Sequence, residues 1–410
     1  MANKNLRAGL FYILTTYMAQ GVTIIFNLIM MKVLSLNDFG VYSYARTIAQ
    51  YFDYSNIGTR YAMDRLVPVS SKVKSDLILH LCLFSTQLIA YSVFILLLSL
   101  GIISGMAEVF FVIAGICFAF SNIYCVYRRD CSDLNVVIVV NFLASVLPIS
   151  AALIACLLHL PLITIAEYFF TGQLLLLFIL SIKYKLFSFF FKLPRSYIRS
   201  FKFVFLIGFP MFVASFVTML GMTEDRLFIK HFFGYAALGK YSIILYVFSF
   251  LIILPNVLGQ VFMPEIIRDV RQGSSREVTR AFWFLIALLV PLLVFICALI
   301  PFAVKVFLPK YSPYALYMCF ASLVVIPYAM MFPFLTALNA LDKRSIIVKI
   351  NFFSVIVYSV LLLGYFKITS NLSYSVLLDL KLSYGLLNVI LLYIVFKFEL
   401  KKFLLKKDNV

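Results

Sequence analysis

Four polar side chains recur at helical spacing in an otherwise apolar run. Tyr42, Arg46, Gln50 and Asp53 stand at i, i+4, i+8 and i+11, which aligns them along one side of a helix. If that helix starts near Asn37, Arg46 lies about 13 Å along it and Asp53 about 24 Å, at roughly 1.5 Å per residue. A charge at such depth facing lipid costs several kcal/mol, so both are expected to face the protein interior or a water-filled cavity. Two readings stay open. One is an Arg46–Asp53 ion pair, bridged by Gln50, that only stabilises packing. The other is a cavity wall on which the guanidinium offers its fork of donors to an anion.

Other apolar runs carry similar faces. Thr16, Gln20, Thr23 and Asn27 line up before the first set, small polar groups that also suit helix–helix packing in a membrane. Further along come Ser215 and Thr218, then Glu224, Asp225, Arg226 and Lys230, followed by Lys240, Ser249, Asn256 and Gln260. The expected cavity therefore has cationic members Arg46, Arg226, Lys230 and Lys240 and neutral members Gln20, Asn27, Gln50 and Asn256. Asp53, Glu224 and Asp225 are the carboxylates that could hold a coupling cation or a cationic solute. The balance of charge favours an anion.

The elements that must position these residues are membrane spans. The sequence is 64% hydrophobic and 13% charged, too apolar for a soluble chain to hide. About twelve runs are long enough to cross a bilayer: 8–31, 39–60, 77–103, 106–127, 136–158, 162–182, 203–232, 236–264, 281–302, 315–340, 346–366 and 376–398. Basic residues crowd alternate connections, whereas the intervening ones hold only Lys32, Arg226, Lys230, Lys240, Lys305, Lys310, Lys367 and Lys381. Basic loops stay cytoplasmic, so both termini are expected inside and the number of spans even. The net charge of +18 follows these loops and forms no basic domain, which suits anionic lipid headgroups and not nucleic acid.

Nothing in the sequence points to catalysis or to a cofactor. The seven cysteines hold no CxxC pair, and His80, His159 and His231 are far apart, so packed free thiols are expected in place of a disulfide framework or a metal site. No connection gathers acids and histidines, as a membrane glycosyl-transfer enzyme would need. An internal echo organises the rest. Phe39-Gly-Val-Tyr42-Ser43 and Leu238-Gly-Lys-Tyr241-Ser242 each follow an odd-numbered run, and the next helix is expected to begin at the Tyr-Ser. The expected fold is therefore an all-α polytopic membrane protein, two six-helix bundles related as parallel repeats. The bundles span 1–190 and 203–410, joined by a basic cytoplasmic link at 191–202. Pro210 and Pro255 are candidate flex points.

The stretch Leu34-Ser-Leu-Asn-Asp-Phe-Gly-Val-Tyr-Ser43 resembles the signature after the first helix of polysaccharide flippases, within the multidrug/oligosaccharidyl-lipid/polysaccharide exporter superfamily. Asp225 through Tyr241 resembles the matching signature of helix seven, Phe262-Met-Pro-Glu265 the close of helix eight, and Ala337-Leu-Asn-Ala-Leu-Asp-Lys343 the end of helix ten. The resemblance implies alternating-access flipping of an undecaprenyl-diphosphate-linked oligosaccharide repeat unit across a bacterial cytoplasmic membrane, for O-antigen or other surface polysaccharide. It implies that Arg or Lys in the cavity holds the pyrophosphate while the lipid tail stays in the membrane. A polysaccharide polymerase and a chain-length regulator are the protein partners it suggests. The same superfamily contains cation-coupled drug and metabolite antiporters, which remain the alternative.

Overall fold

The computed structural model describes residues 2–131, 133–184, 197–369 and 371–408. By its internal contacts the chain divides into two units, Met1–Val213 and Ala214–Val410. The first half of the basic link expected at 191–202 lies outside the described residues; its second half begins a helix at Tyr197. Among the described residues the secondary structure is helical throughout, and nine stretches are long and apolar enough to cross a membrane. The protein is a multi-pass membrane protein.

In the first unit the rods are α1 (Ala2–Val33), α2 (Leu36–Tyr51), α3 (Thr59–Leu66), α4 (Lys72–Ser99), α5 (Met106–Asp130), α6 (Leu134–Leu157) and α7 (Leu162–Tyr184). α2 is capped by Ser35, whose hydroxyl accepts from the Asp38 N–H at 3.1 Å. The expected second span is broken. α2 gives way to a 3₁₀ turn at Phe52–Tyr54, and α3 starts after Gly58. Asn56 replaces the backbone bonds lost at the break: its amide donates to the Asp53 carbonyl at 2.7 Å and accepts the Gly58 N–H at 3.1 Å. α5 is the most enclosed rod, with Val112, Ala114 and Ala119 fully buried. It meets α2 backbone to backbone: a Cβ on Gly115 would stand 2.5 Å from the Cβ of Ala49 and 2.9 Å from its Cα. Small residues permit this approach where helices associate by close packing alone.

The second unit begins within α8 (Tyr197–Ile244) and continues through α9 (Tyr246–Leu251), α10 (Ile253–Arg271), α11 (Arg276–Phe307), α12 (Ala315–Leu323), α13 (Val325–Ala340), α14 (Arg344–Ile368) and α15 (Tyr374–Asp408). The backbone of α8 breaks once, at Gly234 with φ 79° and ψ −175°, a conformation open to a residue without a Cβ. Two sequence expectations are corrected here. Gly40 lies inside α2 and Gly239 inside α8, because the chain turns earlier, at Leu34–Ser35 and at Gly234. The eighth span, expected over 236–264, is three helical pieces, the end of α8 beyond Gly234, then α9 and α10, parting at Leu245 and at Ile252. Pro255 sits three residues on and has no N–H to give the carbonyl of Leu251, so the helix restarts there. α13 packs against α10, α11 and α15, and α14 packs against α15. Apolar side chains such as Trp283, Phe295, Phe302 and Phe307 of α11 remain more than half exposed, as a lipid-facing surface requires.

Candidate functional site

Each unit holds a polar cluster in the rods that the sequence singled out. In the first unit, Tyr42 of α2 is buried and donates its hydroxyl to Asn27 Oδ1 of α1 at 2.8 Å. Arg46, one turn further along α2, gives one terminal nitrogen to the same amide oxygen at 3.0 Å and to the Tyr42 hydroxyl at 3.1 Å. The Asn27 amide is oriented by its own donation to the Thr23 carbonyl at 2.8 Å. Phe26, Phe39 and Phe111 surround the Tyr42 ring at centroid distances of 6.3, 5.8 and 5.2 Å. The guanidinium is thus steered from one end by neutral oxygens, stays half-buried, and has no carboxylate partner among the described residues. A positive group held this way keeps its remaining donors for an anion.

The Arg46–Asp53 pair left open by the sequence does not form. The break after Tyr51 carries Asp53 off the face that Arg46 occupies. Asp53 Oδ2 instead accepts from Arg60 Nη1 at 2.7 Å, and its Oδ1 accepts from Asn122 Nδ2 of α5, also at 2.7 Å. Gln20 and Gln50 are exposed and take no part in the cluster. The side chain of Asn256 lies outside the described residues.

In the second unit Tyr241, the repeat counterpart of Tyr42, is fully buried and donates to Asp225 Oδ2 at 2.6 Å. Both tyrosines therefore reach back across a bend in the chain, Tyr42 from α2 to α1 and Tyr241 across the Gly234 break of α8, the same local device built twice. The cation differs. Lys381 of α15 donates to Asp225 Oδ2 at 2.6 Å and to the Met222 carbonyl at 2.8 Å. The sequence reading put Lys381 in an outer connection; it lies within α15 with no exposed surface. Glu224 is buried, accepts from Ser359 Oγ at 2.6 Å, and its Oε1 has no partner among the described residues. Arg226 is half-buried with its Nε sequestered and unbonded, and Lys230 sets its ammonium 5.3 Å from the Tyr235 ring centroid. Lys240 is half-buried. The sequence missed Lys381, Arg60 and Asn122. A lone Lys inside a span was visible for the first; the other two meet Asp53 only through the break and the packing of α5.

Comparison with solved structures follows from this arrangement. A Vibrio cholerae MATE transporter, VcmN in an Asp-to-Asn mutant form, superposes with a TM-score of 0.66 over 99% of this chain and 97% of its own, at 12% identity. The multidrug MATE transporter DinF-BH, in complex with a ligand, gives 0.66 over 93% of each chain at 14% identity. This chain has the MATE transporter fold. A MOP superfamily transporter from Pyrococcus furiosus, described as having a binding pocket of reverse polarity suggesting a different function, gives 0.56 over 96% of this chain and 95% of its own, at 13% identity. No protein-family model matches the chain. No curated protein matches it. The MATE fold accounts for the two-unit, twelve-rod plan expected from the repeat.

Proposed function

We propose that this protein is an alternating-access transporter whose cargo is an anionic, lipid-linked headgroup. The finer reading is an undecaprenyl-diphosphate-linked oligosaccharide repeat unit, moved from the cytoplasmic to the outer leaflet of a bacterial cytoplasmic membrane, with both termini cytoplasmic. The observation that carries it is Arg46, held by Asn27 and Tyr42 with no carboxylate partner among the described residues. The acids that a cationic solute would need support the same reading. Asp53 is paired with Arg60 and Asp225 with Lys381, and an acid already neutralised attracts a second cation weakly. A pyrophosphate would take the free guanidinium donors two at a time, and the lipid tail would remain in the bilayer. A polysaccharide polymerase and a chain-length regulator are the partners such a substrate would bring.

A second reading has its own support. The superposing transporters include one named for multidrug transport, and the unpartnered Glu224 Oε1 could receive a proton or a cation. Under it, the chain is a cation-coupled drug or metabolite antiporter. Deleting the gene separates the two. The flippase reading expects loss of surface polysaccharide and build-up of lipid-linked repeat units on the cytoplasmic side. Intact polysaccharide with raised sensitivity to cationic dyes would overturn it in favour of the antiporter.

A further inference from the structure

Lys381 is an expensive residue where it stands. An ammonium with no exposed surface loses its hydration, and a buried ion pair recovers that cost only when its geometry and its remaining bonds are good. Here the acceptors are a carboxylate oxygen, Asp225 Oδ2, and a main-chain oxygen, that of Met222. Tyr241 supplies a hydroxyl to the same Oδ2, and the Arg226 N–H fixes Oδ1 at 2.9 Å. Glu224, one residue before Asp225, adds a second buried carboxyl with one oxygen unbonded among the described residues. Around the ammonium the structure has thus collected carboxylate, carbonyl and hydroxyl oxygens, pre-oriented and shielded from water. This is the ligand chemistry that hard metal cations select. A carbonyl beside a buried carboxylate is also how membrane proteins hold small monovalent cations.

We propose that Lys381 is a resident cation: its ammonium permanently fills a site of monovalent-cation character formed by Asp225, the Met222 carbonyl and the oxygens beside them. An inorganic ion in such a site would come and go with the conformation of the protein. A tethered ammonium stays, and ties α15 to both sides of the Gly234 break through Met222, Asp225 and Tyr241. The second unit then keeps its packing whether or not sodium or potassium is present, and Asp225 is closed to ion coupling. This holds whatever the transported molecule is.

The test is thermal unfolding of the full-length protein in lipid nanodiscs, in sodium, potassium or choline chloride at equal ionic strength. Wild type is expected to give one midpoint in all three salts. Lys381→Ala empties the site and strands Asp225, so its midpoint should fall in choline and recover saturably in sodium or potassium. A cation at a hundred times its dissociation constant raises the folded-to-unfolded ratio about a hundred-fold. Asp225→Asn with Lys381→Met removes both charges and should respond to no cation. Three results would overturn the proposal. One is stabilisation of wild type by sodium or potassium that this double variant loses. Another is an equal midpoint for Lys381→Ala in all three salts. The third is failure of Lys381→Ala to accumulate in the membrane in sodium- and potassium-rich media alike, since an accepted cation should restore it.

Discussion

The partner of Asp53 can be settled by a double-mutant cycle. Arg60 and Asp53 meet at 2.7 Å with side chains 23% and 28% exposed, between the surface pairs that couple by about 0.2–1 kcal/mol and the buried ones whose breaking costs about 3–5. A coupling energy of about 1–2 kcal/mol is therefore expected between Arg60→Ala and Asp53→Ala. For a unit of this size that corresponds to a difference of about 2–8 °C between the double variant's midpoint and the sum of the single effects. Arg46 and Asp53 share no contact, so Arg46→Ala and Asp53→Ala should add to within about 0.5 kcal/mol. The assay is thermal unfolding of the purified variants in one lipid and one salt. An Arg46–Asp53 coupling equal to or larger than that of Arg60–Asp53 would refute the account of the break in the second span, and with it the claim that Arg46 lacks an acid.

Arg46→Ala should abolish transport with normal membrane levels, while Arg46→Lys should keep part of it, because charge survives and the bidentate fork is lost; equal activity of the two variants would count against anion binding there. Gly115→Leu should drive a side chain into Ala49 and lower stability by about 1–3 kcal/mol, seen as reduced accumulation and a lower unfolding midpoint. Gly234→Ala faces open space but must hold a positive φ with extended ψ, so about 1–3 kcal/mol of loss is expected, measured in the same unfolding assay. On a Cys-free background, a Cys at Ala236 should react with an impermeant reagent in intact cells and one at Ser274 only after permeabilisation; the reverse pattern would invert the topology.

The nine long apolar stretches among the described residues were legible because a run of about twenty apolar residues has few alternatives in a membrane. The Tyr42–Asn27–Arg46 cluster was half legible: the sequence put Arg46 and Asn27 on polar faces of adjacent rods but left the guanidinium open between a pair with Asp53 and an anion. Periodicity assumes an unbroken helix, and nothing in the residues from Tyr51 to Gly58 told a span from a break except Asn56 and Gly58, two modest turn formers. Asn122 was beyond reach for a different reason, since it meets Asp53 across 69 positions of sequence. Lys381 was misplaced by the loop-counting rule, although the run 376–398 that contains it was itself recognised. One buried lysine is too short a signal for a rule that weighs loops.

The brevity of α2 bears on how the protein enters the membrane in the first place. Its 16 residues reach about 24 Å, short of a hydrocarbon layer of about 30 Å. Asp38 and Arg46 weigh against partition into lipid, most heavily near mid-depth, where one charge costs the insertion machinery about 2.5–3.5 kcal/mol and one Leu or Ile returns only about 0.3–0.6. α2 is also not among the stretches apolar enough to cross on composition. Its place depends on α5, whose Gly115 lies flush against Ala49 and whose Asn122 meets Asp53. During synthesis the rod that carries Arg46 must therefore wait for some sixty residues of later chain before the bilayer will keep it. Nascent chains arrested before Met106 should leave α2 accessible to water, and chains extended past Asp130 should not.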